Sequence, residues 1–517
     1  MTWGAPLLIA LPDGLNASGV TTWAVRLASA LAASGRVCGL VLHPEPPGQR
    51  PIDVALHPGV RIFDLRRLPR LDAEGGGAFA PAYLAAARSL GARPGGPVVL
   101  SPNLVGECYA VAAELTRAHA DAVRTIAVHH SDLAYNDAVC AHFEPIVHAF
   151  VGVSERITDR LRRNLPARAA DVHRIPYGVE ASGVAAPRPP LAGRPVRLLY
   201  AGRIEHEQKR VRSLVAMSDA LAARGVAHEL ALVGDGPACP EIDAACASRS
   251  WVRRLPPRSP AGIAALLDAA DLFVLASRYE GLSVSVLEAM ARGCTPVITR
   301  TASGAGEQIT EGVTGFLVDA DDGDDAATGD AMADAVQRAI RAGPHRAGAA
   351  AAKRARDCFS VERMAGAYAA ILDGCAAAPA RRWAQDRAVA FTTVPADAAE
   401  RMRAVLDRLA GRRIVVHGAG RHTTELAEVL AESPACVVAF SDDDPARQGG
   451  AIRGVPVVAP TDAALTGATD VLISTFLHES AVWERRGVYE RQGLRVHRVY
   501  GHSSGSEASS GFARSLT

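Results

Sequence analysis

Short apolar stretches alternate with longer helical patterns along almost the whole chain. In the first part of the sequence the strand candidates are PLLIALP, VCGLVLH, PVVLSP, TIAVHH and AFVGVS, with helical patterns such as TTWAVRLASALAAS between them. Consecutive parallel strands need a helical crossover, whereas antiparallel strands can be joined by tight turns. The alternation therefore predicts an α/β protein whose parallel sheets are covered by helices on both faces.

The alternating pattern is interrupted twice, which predicts three Rossmann-like units. A chain of 517 residues is also too long for a single core. A Pro-rich stretch at residues 183–195 separates the first two units, and CAAAPARRWAQDR reads as a linker before the third, smaller unit. The predicted boundaries are 1–185 and 190–375 for two facing domains, 376–399 for a linker, 400–502 for a third domain and 503–517 for a disordered tail.

The charge balance and the cysteines exclude several classes of protein. Lys plus Arg number 56 and Asp plus Glu 55, so the net charge is +1, without the basic excess of a nucleic-acid binder. The 9 cysteines form no C-x-x-C pair, which favours reduced thiols over zinc or disulfides. The amino terminus reads as a strand, and no run of about 18 apolar residues would span a bilayer. We therefore expect a cytoplasmic protein.

Ligands of open α/β sheets bind beyond the carboxyl ends of the strands, so residues that follow strands are the candidates. After the first strand, Gly14 and Gly19 bracket a loop that leads into a helix. Glycine permits close backbone approach and a helix start attracts anions, although a plain tight turn explains the loop equally well. After TIAV come His129 and His130, which either face the cleft or are hydrogen-bonded structural histidines.

Charged residues follow two strands of the second unit. Arg203 and Lys209 come after VRLLY and could hold a diphosphate, unless they are solvated surface charges. Glu280 and Glu288 lie in ASRYEGLSVSVLEAMARG, where a helix start provides free backbone N–H groups. Carboxylates beside such a site would bind sugar or ribose hydroxyls. A glycosidase acid pair is the rival reading, but it leaves the basic pair unexplained.

Residues 1 to about 375 resemble a glycosyltransferase of the GT-B fold, of the family 4 or group 1 type. The matching segments occur in family order: SGVTTWAVRLASALAASG, VGVSERI, IPYGVE, YAGRIEHEQKR, LVGDGP, AADLFVLASRYEGLSVSVLEAMARGCTPVI and GEQITEGVTGFLV. SVERMAGAYAAIL resembles the closing helix that crosses back to the first domain. The resemblance implies retaining, metal-independent transfer of a sugar, of hexosyltransferase type, from a nucleotide-sugar to a hydroxyl acceptor in glycan or glycolipid biosynthesis.

The resemblance also implies roles for individual residues. Arg203 and Lys209 would hold the diphosphate, Glu280 would bind the donor sugar hydroxyls and Glu288 the ribose, and His130 would be the cleft histidine. Of these residues, the resemblance implies that His130, Arg203, Lys209 and Glu280 are catalytic. The remaining donor-binding positions implied by the family pattern are Gly19, Gly281, Leu282 and Ser283, and Glu307 matches the family only loosely. No cofactor and no metal are expected. UDP is taken as the donor nucleotide on frequency alone.

The third unit contains an incomplete dinucleotide-binding pattern. Gly418 and Gly420 form a turn after the strand RIVVH, but Thr423 stands at the third glycine position. Asp442 follows the next strand, where an acid would bind a ribose, and this position argues against a metal site at Asp443 and Asp444. The unit resembles the small domain that precedes some sugar acyltransferases. A nucleotide-sugar, NAD, and a purely packing or dimerising role all remain open.

Two other functions and several partners remain open. A nucleotide-sugar epimerase shares the fold, and a non-catalytic nucleotide-sugar-binding protein is the third alternative. The acceptor hydroxyl, lipid-linked or part of a glycan, cannot be read from the sequence. Arginines in 154–170 either border an anionic membrane surface at the inner face of the membrane or are solvated. Homo-oligomer formation through the last domain is a further expectation.

Overall fold

The structure is a computed structural model that divides into two compact units. The first unit contains residues 1–132 and 143–390, and the second contains residues 133–142 and 391–517. The residues that the structure describes are 4–16, 18–45, 55–71, 76–91, 96–103, 105–181, 191, 193–320, 324–392, 394–395, 397–443, 447–476 and 479–501. The predicted tail, 503–517, lies outside the described residues.

The first unit begins with a parallel sheet that has seven strands in the described residues. They are β1 (Leu7–Leu11), β2 (Cys38–Leu42), β3 (Val60–Asp64), β4 (Val98–Ser101), β5 (Val123–His129), β6 (Val147–Gly152) and β7 (Val172–Arg174), in the order β3-β2-β1-β4-β5-β6-β7. The five predicted strands are β1, β2, β4, β5 and β6, and each is buried along its whole length. The unpredicted β3 and β7 lie at the sheet edges, where polar residues interrupt the apolar run.

Helices cover this sheet. Their bounds are Gly19–Ala33, Gly76–Leu90, Gly106–His119 and Glu155–Asn164, with 3-10 turns at Ala120–Ala122, Glu144–Ile146 and Pro166–Asp171. Ser18 and Ser154 cap the first and last of these helices, because their side chains accept a hydrogen bond from a backbone N–H in the first turn. The serines in SGVTT and VSERI therefore fix where two helices begin behind the strand ends.

The second sheet of the first unit is also parallel, with six strands in the described residues. They are β8 (Val196–Ala201), β9 (His228–Val233), β10 (Val252–Leu255), β11 (Leu272–Leu275), β12 (Thr295–Thr299) and β13 (Phe316–Val318), in the order β10-β9-β8-β11-β12-β13. Its helices are Val211–Ala223, Cys239–Ala247, Pro260–Ala269, Val284–Ala291, Ala305–Gln308, Asp325–Ala342 and Pro344–Cys358. We call residues 4–132 and 143–181 the amino-terminal half of this unit and residues 193–360 the carboxyl-terminal half.

A closing helix, Val361–Ala377, follows the carboxyl-terminal half and packs against the amino-terminal half. Its Tyr368 ring lies 5.9 Å from the Trp23 ring, and Asp373 pairs with Arg36 at 2.8 Å. The chain that follows it stays ordered, since Trp383 is fully buried and its indole N–H donates to the Arg387 carbonyl at 3.0 Å. The first part of the predicted linker is thus packed structure of the first unit.

The second unit contains the third Rossmann-like sheet, which is mixed. Its strands in the described residues are β14 (Arg413–His417), β15 (Cys436–Ser441), β16 (Ala451–Ile452), β17 (Val455–Val458), β18 (Asp470–Ile473) and β19 (Arg495–Arg498), in the order β16-β17-β15-β14-β18-β19. Only the β16–β17 pair is antiparallel among these strands. The helices are Ala134–His142, Ala398–Arg408, Arg421–Glu425, Ala427–Ala431, Glu479–Glu484 and Gly487–Glu490, with a 3-10 turn at Pro460–Thr466.

Neighbouring residues of β14 face opposite sides of this sheet. Val416 belongs to a core with Met402 and Leu406, whereas Val415 belongs to a separate core with Tyr489. Side chains of a strand alternate between the two faces, so a sheet covered on both faces needs two such cores. The predicted class, α/β with two facing Rossmann-like domains and a third small one, is confirmed. No helix in the described part of the chain is both long and apolar enough to cross a membrane.

Candidate functional site

The carboxyl ends of the first and second sheets approach each other, and two glycines mark the contacts. A Cβ atom built on Gly19 would lie 3.4 Å from Cγ2 of Val284, across the cleft. A Cβ atom built on Gly281 would lie 2.0 Å from the carbonyl oxygen of His130, which follows β5. Glycine at position 281 is therefore required by close backbone approach. The turn that contains Gly281 lies against the strand ends of the amino-terminal half, where an open α/β sheet binds ligands.

Lys209 and Glu280 form an ion pair in this cleft. Nζ of Lys209 lies 2.6 Å from Oε1 of Glu280, and the two side chains are only 18% and 12% exposed. The hydroxyl of Ser277 donates to the same carboxylate oxygen at 2.7 Å. The structure thus brings together a cation and an acid that stand 71 positions apart in the sequence.

The loop that carries Lys209 is held in shape by buried polar contacts. The carboxylate of Glu205 is buried and accepts hydrogen bonds from the backbone N–H groups of Gln208 at 3.1 Å and Lys209 at 2.8 Å. The side-chain amide of Gln208 donates to the Tyr279 carbonyl at 3.0 Å, one residue before Glu280. The Lys209 loop and the Glu280 loop are therefore joined directly, which fixes the position of the ion pair.

The helix start after Glu280 is anchored through Ser283 and Gln308. Ser283 caps the helix Val284–Ala291, and its backbone N–H donates to Oε1 of Gln308 at 3.3 Å. The amide nitrogen of Gln308 donates back to the Ser283 carbonyl at 2.7 Å. Leu282 is buried, so only its backbone can meet a ligand in the cleft. The predicted segment Gly281–Ser283 is a rigid turn that leads into a helix start.

Glu288 forms an ion pair with Arg26, a residue that was not predicted from the sequence. Nη2 of Arg26, in the first helix, lies 2.6 Å from Oε1 of Glu288, and the side chains are 17% and 26% exposed. Arg26 also approaches the Gly178 carbonyl at 3.5 Å. Glu280 and Glu288 are therefore each bound by a different cation, and Glu288 links the two halves of the unit.

His130 is enclosed in a hydrogen-bonded network. Its Nδ1 lies 2.8 Å from the Tyr177 hydroxyl, its Nε2 lies 2.6 Å from Oδ1 of Asn103, and the Trp23 ring packs edge-on at 4.6 Å. Burial lowers the pKa of His130 from 6.5 to about 3, so the imidazole is neutral at physiological pH. His129 is buried as well. A catalytic role for His130 stays a prediction, and its carbonyl, not its ring, contacts the Gly281 turn.

Two other predicted residues lie outside the ion-paired cluster. Arg203 is exposed, and in the described residues its side chain makes no ion pair. Glu307 points to the amino-terminal half, where it accepts from the Glu155 backbone N–H at 2.8 Å and pairs with Arg174 at 2.6 Å. Glu307 therefore joins the two halves of the unit. Neither placement tests a contact with a ligand, so both roles stay predictions.

In the second unit, side chains from the segment after β15 contact the predicted glycine turn. Asp442 accepts the Ala419 backbone N–H at 2.7 Å, and Arg447 lies 3.3 Å from the same carboxylate oxygen. A Cβ atom on Gly418 would lie 2.8 Å from the Ser474 carbonyl, and one on Gly420 would lie 2.7 Å from Nη1 of Arg447. Asp442 thus follows the predicted strand and binds the turn itself. Asp444 lies outside the described residues. Ligand binding at Gly418, Gly420 and Asp442 stays a prediction.

Sequence reasoning missed the residues that position the site. Arg26 is the single charged residue in the apolar helix pattern TTWAVRLASALAA, and this isolated charge could have marked it as a site residue. Asn103, Tyr177 and Gln308 gave no signal, because their contacts join distant segments of the chain. In the part of the chain that the structure describes, no group of three or more His, Cys, Asp or Glu side chains could hold a metal ion.

Residues 195–341 match the family model described as glycosyl transferases group 1. This segment belongs to the group 1 glycosyl transferases. The glycosyl transferase domain so defined contains Arg203, Lys209, Glu280 and Glu288, and it coincides with most of the carboxyl-terminal half. The suspected family is thereby confirmed for this part of the chain.

Curated relatives share part of this sequence. The chain is 30% identical to alpha-D-kanosaminyltransferase of Streptomyces kanamyceticus over 183 residues, which are 33% of this chain and 47% of that protein. It is 31% identical to alpha-maltose-1-phosphate synthase of Mycolicibacterium smegmatis over 243 residues, 42% of this chain and 60% of that protein. The chain thus matches about half of the length of these relatives.

Solved structures of glycosyltransferases share the fold. Sucrose-phosphate synthase from Thermosynechococcus elongatus superposes with a TM-score of 0.55 at 19% identity, covering 71% of this chain and 98% of that one. Anabaena HepE, solved with UDP and glucose, superposes with a TM-score of 0.54 at 17% identity, covering 71% of this chain and 98% of that one. Together with the family match, this establishes the GT-B fold around the glycosyl transferase domain.

Proposed function

We propose that the chain is a retaining, metal-independent glycosyltransferase that moves a sugar from a nucleotide-sugar to a hydroxyl acceptor. The observation that carries this proposal is the Lys209–Glu280 ion pair, 2.6 Å long, next to the rigid turn Gly281–Ser283 and between two facing sheets. The cluster combines a cation, a carboxylate and a helix start, which are the groups that a sugar diphosphate needs. No cofactor other than the donor is proposed.

The donor would bind through complementary contacts. The Lys209 ammonium, the Arg203 guanidinium and the N–H groups at the start of helix Val284–Ala291 would hold the diphosphate. Glu280 would accept hydrogen bonds from sugar hydroxyls. Gly19 would allow the diphosphate to approach the backbone of the amino-terminal half. UDP is the proposed nucleotide, and the complex of HepE with UDP and glucose supports this choice.

The Arg26–Glu288 pair would position the ribose. Arg26 binds Oε1 of Glu288, and the other oxygen, Oε2, would accept a ribose hydroxyl. Because Arg26 belongs to the amino-terminal half, ribose binding at Glu288 would also be sensitive to how the two halves are joined. This refines the role expected for Glu288 from the sequence.

The transfer step would use positioning and electrostatics, not a protein nucleophile. The bond between the anomeric carbon and the diphosphate oxygen breaks, and the acceptor oxygen bonds to the same face of that carbon. The acceptor proton passes to the departing diphosphate. Lys209, whose side chain is 18% exposed, would stabilise the negative charge that develops on this leaving group. The acceptor, a glycan or lipid-linked hydroxyl, stays a prediction, as does a cytoplasmic location.

Substitution of Lys209 tests this function. Lys209 and Lys353 are the only lysines of the chain, so Lys353→Ala, at an exposed site, is a matched control. We expect Lys209→Ala to lower nucleoside-diphosphate release and sugar transfer by about 100-fold or more, as for the loss of one transition-state donor. Turnover is measured by chromatography across a panel of nucleotide-sugars and acceptors. A folded Lys209→Ala protein with wild-type turnover would refute the assignment.

The stereochemistry and the metal requirement are tested in the same assay. NMR of the product is expected to give the anomeric configuration of the donor, and addition of EDTA is expected to leave turnover unchanged. An inverted product would contradict the same-face mechanism, and an EDTA-sensitive reaction would contradict metal independence. Conversion of the nucleotide-sugar without any acceptor would instead indicate an epimerase.

A further inference from the structure

A cavity of about 880 Å³ lies where the two halves of the first unit and the closing helix meet. In the amino-terminal half, its lining includes Arg156, at the start of the helix Glu155–Asn164, and Arg174, at the end of β7. In the carboxyl-terminal half, its lining includes Gly304 and Arg354. Arg363 of the closing helix completes it. This volume is in the range of sites that enclose small organic ligands. The cavity shares no lining residue with the Lys209–Glu280 cluster.

The cavity has an excess of positive charge, because four arginines and two glutamates, Glu155 and Glu307, line it. Two of its four arginines are matched by carboxylates, since Arg174 pairs with Glu307 at 2.6 Å and Arg156 pairs with Asp132 at 2.7 Å. In the described residues the other two, Arg354 and Arg363, make no ion pair, although the Asp357 carboxylate is near enough to Arg363 to interact with it electrostatically. The cavity is therefore suited to an anion that binds between these two guanidinium groups.

Arg354 is held in place without being neutralised. Its Nε donates to the Gln308 carbonyl at 3.0 Å and its Nη2 to the Glu307 carbonyl at 2.6 Å, while its guanidinium lies 5.9 Å from the Phe359 ring. Among the described residues its Nη1 has no hydrogen-bond partner. The guanidinium is thus oriented by the protein before a ligand arrives, which reduces the entropy lost on binding.

Arg363 stands in the first turn of the closing helix. Ser360 caps this helix by accepting the Arg363 backbone N–H at 3.3 Å, and both residues line the cavity. The positive end of a 17-residue helix therefore adds to the two guanidinium groups. Two unpaired arginines and a helix start favour a dianionic phosphate group over a carboxylate. The volume leaves room for a polar body the size of a sugar.

The cavity wall is in direct contact with the turn of the donor cleft. Gly304 lines the cavity with φ +79°, and a Cβ atom on it would lie 2.7 Å from the Gly281 carbonyl oxygen. The hydroxyl of the neighbouring Ser303 donates to that same oxygen at 2.7 Å and also contacts the Ser154 hydroxyl at 2.7 Å. A ligand that draws the halves together at the cavity would therefore also stabilise the Gly281 turn.

We infer that this cavity is a second ligand site, which binds a phosphorylated small molecule of sugar-phosphate size between Arg354 and Arg363. Because both halves line the site, its occupation increases the affinity of the donor cleft. The binding itself is independent of the proposed transferase activity, whereas the coupling rests on the proposed binding of UDP.

Calorimetric titration with glucose 6-phosphate at constant ionic strength tests the binding, with glucose as the uncharged comparison. We expect saturable binding of one glucose 6-phosphate and none of glucose. Arg354→Ala/Arg363→Ala is expected to weaken binding at least tenfold. Arg363→Ala alone, at an exposed residue, covers the case in which the double variant misfolds. Arg300→Ala/Arg341→Ala removes the same charge from exposed positions and is expected to bind normally.

The chain contains its own reporter for the location of the ligand. Cys358 lines the cavity and is exposed, and Cys436, also exposed, lies in the second unit. Glucose 6-phosphate is expected to slow alkylation of Cys358, measured by peptide mapping, and to leave Cys436 unaffected. Protection of both thiols, protection of neither, or unchanged binding by the double variant would overturn the site.

The last experiments distinguish binding in this cavity from binding in the donor cleft. Lys209→Ala is expected to keep glucose 6-phosphate binding, and loss of binding in that variant would mean that the phosphate occupies the donor cleft. Saturating glucose 6-phosphate is expected to tighten UDP binding about fivefold, and UDP to tighten glucose 6-phosphate binding by the same factor. Equal UDP affinity with and without the sugar phosphate would overturn the coupling. A chain without transferase activity that still binds glucose 6-phosphate at Arg354 would refute the proposed function and not this site.

Discussion

At the scale of single residues, the environment decides what each ionisable side chain can do. His130 follows a strand that ends in the cleft, yet its ring nitrogens contact Tyr177 and Asn103 and burial lowers its pKa to about 3. Lys209 is the opposite case, because its ammonium reaches the cleft and meets Glu280 at 2.6 Å. Two residues with similar sequence signals therefore differ in burial, and only Lys209 places a charged group in the cleft.

The buried histidine predicts how stability depends on pH. The folded pKa of His130 is depressed below its ordinary value of 6.5, so below pH 6.5 the unfolded chain binds a proton that the native protein does not. The free energy of unfolding should fall as the pH drops from 6.5 towards about 3. In urea titrations, His130→Gln should reduce this slope by about 1.4 kcal/mol per pH unit. The exposed His119→Gln is the control, and an unchanged slope for His130→Gln would contradict the burial argument.

At the scale of elements, the site consists of turns joined to one another. The Gly281 turn contacts the end of β5 on one side and Gly304 on the other. Ser283 begins the next helix and is held by two hydrogen bonds with Gln308. Because each turn contacts the backbone of a neighbouring segment, adding even a small side chain to one turn would also displace that neighbour.

Gly281→Ala should therefore impair the cleft without unfolding the protein. The new Cβ atom would lie 2.0 Å from the His130 carbonyl oxygen, so the turn or β5 must move. A displacement of about 1 Å can cost about 100-fold in turnover, which is the loss we expect in sugar transfer. Gly374→Ala is the matched control, since a Cβ atom there meets nothing within 4 Å. Equal activity of the two variants, measured with thermal unfolding as a check on folding, would contradict this contact.

At the scale of the whole molecule, the two compact units are not consecutive stretches of the chain. The second unit takes residues 133–142 from the middle of the first unit as well as everything after 390. Within it, Phe391 is buried and its ring lies 5.7 Å from the Tyr135 ring and 5.5 Å from the His142 ring. The helix Ala134–His142 is thus an integral part of the second unit, although 248 residues separate His142 from the next residue of that unit (391 − 142 − 1).

Phe391→Ala tests this arrangement. Loss of a buried phenyl ring should destabilise the second unit by about 3–5 kcal/mol, through lost burial and the cavity left behind. Calorimetry should resolve a lower melting transition for the second unit, with the transition of the first unit unchanged. Leu465→Ala, at a residue that is 85% exposed, should leave both transitions in place. An unshifted second-unit transition in Phe391→Ala would mean that the contact with Tyr135 and His142 is unimportant.

Most of the architecture could be predicted from the sequence. Apolar runs fixed β1, β2, β4, β5 and β6, because strands buried on both faces must be apolar throughout. The strands β3 and β7 were missed, because an edge strand tolerates polar residues and β7 has only three. Lys209 and Glu280 were proposed as site residues because each follows a strand of such a unit, and the structure brings the two together in one ion pair.

The sequence by itself determined the α/β class, the three Rossmann-like units and the family of residues 195–341, because periodicity and local motifs are properties of neighbouring residues. Only the tertiary structure decided that Glu288 pairs with Arg26, 262 positions away, and that His130 is buried. It alone revealed the cavity between Arg354 and Arg363. Burial and charge pairing depend on which distant segments meet, and a linear pattern contains no record of those meetings.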